Sequence, residues 1–126
     1  MSSRSTPPTS GHEDQARNEV YVTGRMAAPA EDKELPSGDQ LVTWRLIVDR
    51  PPSRRPLPEG ARETAVDTLD CVAWPAGLRR SAVGWAAGDV ISIEGAVRRR
   101  FWRLPAGGVS SRYEIEVVKA KRALRT

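Results

Sequence analysis

Residues 89–102 read DVISIEGAVRRRFW, and they alternate as a strand does. Ile91, Ile93 and Val97 fall on one side, with Gly95 between them. Ser92, Glu94, Ala96, Arg98, Arg100 and Trp102 fall on the other, because successive side chains of a strand point to opposite faces. The first side is apolar enough to join a core. The second is wet, and ends basic and aromatic. A glycine inside so long a strand marks a bend or bulge, a device by which small barrels curve.

The segments on either side set the fold. Upstream, Pro75 to Ala87 reads as a short helix: proline suits the first turn, Leu78, Ala82 and Trp85 recur at helical spacing, and Gly88 is the stop. Ala65 to Trp74 alternates as a strand, with Leu69, Cys71 and Ala73 inward and Thr68, Asp70, Val72 and Trp74 outward. Before it, Arg50 to Arg62 carries four prolines and is a projecting loop, since proline cannot donate to a sheet ladder. Leu41 to Asp49 is a strand whose Val42, Trp44, Leu46 and Val48 face a core, and Glu19 to Gly24 is another, β-branched and aromatic. Ala27 to Gln40, with two prolines and Gly38, reads as a loop. Downstream, Leu104 to Ser111 is a hairpin turn, followed by a strand at Arg112 to Val118 with Tyr113, Ile115 and Val117 inward. The order strand, strand, strand, helix, strand, strand predicts an all-β chain: a five-stranded OB-fold Greek-key barrel with a short helix between strands 3 and 4. An immunoglobulin-like sandwich would want about seven strands and no helix there.

The expected organisation is a disordered leader over residues 1–17, which lacks the apolar content to offset ordering entropy, a domain over 18–120, and a short basic tail over 121–126. The whole chain has 126 residues, 13.9 kDa and a net charge of +4, enough for one small core under an ionic surface. No apolar run approaches the roughly 18 residues of a membrane span, and the leader has no apolar core for secretion. A cytoplasmic location is expected. Cys71 is the single cysteine and His12 the single histidine. No internal disulfide can form, a zinc site would lack soft ligands, and a His-based catalytic triad would have no framed imidazole. Cys71 falls in an apolar strand pattern, where cysteine is inert packing. No metal, cofactor or catalytic activity is expected.

The chemistry therefore belongs to the outer face. Arg98, Arg100 and Trp102 share one row, and Trp74 closes the outward row of its own strand. A flat aromatic offers a platform for any base, and guanidinium groups hold phosphates. Arg45 is outward on its strand, and Arg54 and Arg55 sit on the Pro-rich loop, placed to follow a phosphate chain. The rival reading has Trp74 and Trp102 capping the barrel or buried between subunits. Trp44 and Trp85 belong to the core by their spacing, while Arg79 and Arg80 read as solvated surface. Asp67, Asp70 and Glu94 have no ligand spacing and are expected to pair with arginines.

These segments together resemble the bacterial single-stranded DNA-binding protein family. The likeness rests on NEVYVTG at 18–24, on VISIEG at 90–95 followed by RRRFW at 98–102, and on RYEIEV at 112–117. It spans about residues 18 to 120. It implies an OB-fold, a homotetramer, and coating of exposed single-stranded DNA during replication, recombination and repair, close to the nucleoid. Trp102 falls on the family's stacking tryptophan and Trp74 on an aromatic stacking position. Two further stacking tryptophans of the family are replaced here, by Asp49-Arg50 and by Thr68. The family's long C-terminal region with its acidic tip is not matched by the ending Leu124-Arg125-Thr126, so recruitment of repair enzymes by that route is not expected. A short accessory paralogue fits best. Two rival functions stay open: an OB protein-interaction or primosomal accessory module, and RNA binding.

Overall fold

The computed structural model describes residues 15–52, 54–62 and 65–124. The expected disorder of the leader falls almost wholly outside these residues, as do His12 and the final Arg125 and Thr126. Seven elements follow in chain order: β1 (Val20–Met26), β2 (Glu31–Glu34), β3 (Gln40–Asp49), β4 (Val66–Ala73), α1 (Ala76–Ala82), β5 (Val90–Arg103) and β6 (Val109–Leu124). The strands form one sheet in the order β1-β5-β6-β4-β3-β2, and β1 pairs again with β3 at Arg25 and Met26. All pairings are antiparallel except β4 with β6.

The inward sides of these strands meet in one cluster that includes Met26, Val42, Leu46, Cys71, Ile91, Ile93, Ile115 and Val117. Trp44 and Trp85 cross edge to face inside it, 5.3 Å between ring centroids, a favourable aromatic geometry. Both were expected in the core. The Trp44 indole N–H has no acceptor among the described residues.

The bend expected at Gly95 is present, as a register shift in the β5–β6 ladder between Glu94 and Gly95. The extra residue lies on β6: Gly95 pairs with Val117 and Glu94 with Lys119, leaving Val118 unpaired and exposed. A bulge of this kind bends the strand and increases its twist. It also switches β6 from odd to even inward positions, so that Ala120 packs on the core after Ile115 and Val117. Gly95 is needed opposite, because a Cβ there would run into the Glu116 carbonyl. Just beyond the β1–β5 ladder, Asn18 continues it with its side chain: Nδ2 donates to the Val97 carbonyl at 2.8 Å, and the Val97 N–H donates to Oδ1 at 2.9 Å.

Several expectations are corrected. The structure has six strands rather than five: β2 lies inside the segment read as a loop and pairs with Gln40–Thr43 of β3. Its sequence is EDKE, exposed at every position, so it has no apolar alternation to read. The helix is seven residues, not thirteen; Val83 caps it and Gly84 follows in a turn. Trp85 thus reaches the core from beyond the helix end. β6 continues to Leu124, pairing Lys121 and Arg122 with Ser92 and Ile91, where a tail was expected. Tyr113 has inward parity yet is exposed, because β5 and β6 run on past the β4 pairing at Cys71 and Val72 as a two-stranded ribbon. Val97, opposite the buried Ile115, is exposed where the β1 ladder has ended at Gly95. Val72 has outward parity yet is buried at 1%, for a reason that concerns the site.

Candidate nucleic-acid interface

Val72 forms the floor of a groove of about 380 Å³, walled by Trp74 just past the end of β4, Arg98 and Arg100 of β5, and Glu114 and Glu116 of β6. Long side chains from three adjacent strands cover it. Trp74, Arg98 and Arg100, singled out from the sequence, are thus brought together. Trp102 follows Arg100 at the strand period of two, on the same face of the ribbon, and is 43% exposed. Arg45 lines a second groove of about 360 Å³ with Asp70, Arg112 and Glu114, and Glu114 is common to both. Arg54 and Arg55 stand exposed on the β3–β4 loop and line neither groove.

The sequence did not show how these arginines are held. Arg98 Nε donates to Glu116 Oε1 at 2.8 Å, Arg100 Nη1 lies 3.6 Å from Glu114 Oε1, and Arg45 Nε donates to Asp70 Oδ1 at 2.9 Å. These three guanidinium groups each carry a carboxylate from the neighbouring strand, whereas Arg112 has none among the described residues. The pairing expected for Asp70 is seen, as is that for Asp67, which accepts from Arg50 Nη2 at 2.8 Å and from Arg50 Nε at 3.0 and 3.1 Å. The Arg50 hydrogen bonds hold the Asp67 carboxyl below the usual carboxylate range, and the same bonds raise the Arg50 guanidinium. Asp49 pairs with Arg25 at 3.0 Å. The positions 49 and 50, where the resemblance puts a stacking tryptophan, are therefore committed to ion pairs.

Arg79 has a structural task. Its Nε donates to the Trp74 carbonyl at 3.0 Å and its Nη1 to Gln40 Oε1 at 2.9 Å, fixing the backbone that carries Trp74. Cys71 lies beneath the face, 2% exposed. Burial pushes its thiol up to about 12, with the charges of Asp70 and Glu114 acting in the same direction, so it is neither a thiolate nor a nucleophile at neutral pH. Among the described residues no group of His, Cys, Asp and Glu could hold a metal ion, and no helix is long and apolar enough to cross a membrane.

Comparison with known proteins meets this geometry. The family model described as the Single-strand binding protein family matches residues 17–123. A Single-stranded DNA-binding protein of Thermotoga maritima is 29% identical over 90 residues, covering 71% of this chain and 62% of the relative. The chain thus spans under two thirds of that protein's length. Among solved structures, a Plasmodium falciparum SSB in complex with ssDNA superposes with a TM-score of 0.66 at 18% identity, covering 86% of this chain and 94% of the other. The mostly β architecture, a six-stranded sheet with one short helix, is similar to that SSB's fold.

Proposed function

For this chain, which belongs to the single-strand binding protein family, we propose sequence-tolerant binding of single-stranded DNA without a catalytic step. The observation that carries the reading is the groove over Val72, where Trp74 stands beside Arg98 and Arg100, with Trp102 exposed one step further along β5. Bases stack on the two indoles, and phosphates take the guanidinium groups of Arg98, Arg100 and Arg45 in exchange for their carboxylates. Arg54 and Arg55 reach the strand from their loop. Stacking dominates, because every base has a π face while the arginines are already paired.

The same reading closes the sheet into a barrel through the β1–β3 pairing. It also pairs protomers along the open side of β1, where Tyr21 and Thr23 are exposed, towards a homotetramer, since bare sheet edges need cover. Its setting is the cytoplasm, on strands exposed in replication, recombination or repair. Titration of a fluorescent oligothymidine tests it. Binding should fall with salt at a log–log slope of about −0.7 per phosphate neutralised. No binding at micromolar protein and low salt overturns the reading, and tighter binding of a matched RNA oligomer reassigns the substrate.

A further inference from the structure

Resting on that reading, we infer that the reverse face of the β5–β6 ribbon is a second stacking surface, and that a single strand long enough to round the ribbon engages both faces. The first observation is aromatic. Arg99 of β5 pairs directly with Tyr113 of β6, and its guanidinium carbon sits 5.0 Å from the Phe101 ring centroid and 5.5 Å from that of Tyr113. Ser111 Oγ accepts from Arg99 Nε and Nη2 at 3.2 and 3.1 Å, which fixes the guanidinium between the rings. Phe101 and Tyr113 are 62% and 63% exposed, although aromatic rings ordinarily dominate buried cores and interfaces. Flat groups locked side by side on a solvent-facing ribbon make a platform for bases.

The second observation is charge. Arg98, Arg100 and Arg45 on the front each have a carboxylate partner. Among the described residues, no carboxylate lies within ion-pair distance of Arg99 or of Arg103, which shares its face four residues on along β5. The cationic groups of the reverse face are thus not neutralised from within, a condition that Arg112 alone shares on the front of the ribbon, and the face suits a polyanion better than an apolar protein surface. The third is continuity. Phe101 lies between Arg100 and Trp102 in sequence, so the two faces meet along one strand only a side chain apart. A strand leaving Trp102 at the ribbon edge meets Phe101 next.

The test compares two oligothymidines, one of about 8 and one of about 16 nucleotides, within the range of a single OB domain. Wild-type protein should bind the longer one more tightly. Phe101→Ala combined with Tyr113→Ala should leave the short oligomer's affinity unchanged and weaken the long one by about 5- to 150-fold. Arg99→Gln should reduce the salt slope by about 0.7 for the long oligomer alone. Both rings are exposed, so folding should survive; sedimentation confirms it and measures the assembly. If wild type binds both lengths and the double variant matches it on each, the reverse-face inference fails and the front-face reading stands. If wild type binds neither, both fail. A double variant of altered mass assigns the face to a contact between copies and overturns the inference.

Discussion

Replacing Glu116 with glutamine should tighten single-strand binding, although it removes a charge from a residue that touches no base. In the free protein Glu116 Oε1 accepts from Arg98 Nε at 2.8 Å, and the two side chains are 35% and 56% exposed. An ion pair this open contributes about 0.2–1 kcal/mol, and a phosphate seated on Arg98 must forgo that contribution. The remaining carboxylate then repels the phosphate. At a separation of about 6 Å in water the repulsion is about 0.7 kcal/mol, and salt near 0.1 M reduces it to about 0.4 kcal/mol. The sum, about 0.6–1.4 kcal/mol, is a gain of about 3- to 10-fold in affinity. The salt slope should steepen by up to about 0.7, one more phosphate neutralised. Fluorescence titration of an oligothymidine at two salt concentrations reads both quantities. Glu34→Gln, which removes the same charge from the exposed strand β2, controls for net charge. If Glu116→Gln matches Glu34→Gln in affinity and slope, the carboxylate does not restrain Arg98 and the argument is refuted.

Other expectations follow from the same geometry. Trp102→Ala should weaken binding by about 5- to 150-fold, one stacked base, with little change in melting temperature; normal binding with early melting would move Trp102 to a subunit contact. Trp44→Ala should do the opposite, lowering stability in a urea titration by about 3–5 kcal/mol, since the ring is 5% exposed and packed on Trp85. The Cys71 thiol, pushed up to about 12, keeps its proton in the folded state after the unfolded chain has lost it. Stability should therefore fall as pH rises from about 9 towards 12, by roughly 1.4 kcal/mol per pH unit, and a Cys71→Ala protein should lack that component. Native protein at pH 8 should also react slowly with iodoacetamide, and fast alkylation would contradict the burial.

The strands that could be read were those with one wet and one dry side. β3 shows this in Val42, Trp44 and Leu46, and β5 in Ile91 and Ile93, all buried where parity put them. Alternation stopped being informative where the sheet ceased to have two sides. Tyr113 keeps the parity of Ile115, but the ribbon has passed the last β4 pairing there, and Val97 keeps that of Ile93 beyond the end of the β1 ladder, so the same pattern yields exposure. β2 was invisible for the converse reason: its four charged residues are strand only because β3 offers them hydrogen bonds. The shift of inward register in β6 needed knowledge of the bulge, which depends on a backbone approach between Gly95 and Glu116.

The site was legible as a row and not as a surface. Period two placed Arg98, Arg100 and Trp102 together, but their partners come from β6, whose place between β4 and β5 is a matter of topology. Once β6 lies there, Glu114 and Glu116 stand between the arginines of one neighbour and Trp74 of the other. Their effect is twofold. A guanidinium held by a carboxylate has already lost much of the rotamer freedom that binding a phosphate would remove. Its charge is also cancelled until a ligand displaces the carboxylate, so under the proposed function the groove should attract polyanions weakly at a distance and select at contact for those that bring stackable bases. On that proposal a strand of phosphates without bases should gain little there, whereas one with bases should gain Trp74 and Trp102 as well. That argument separates the front face, where pairing makes stacking decisive, from the reverse face, where Arg99 is held by Ser111 and two rings and keeps its charge available.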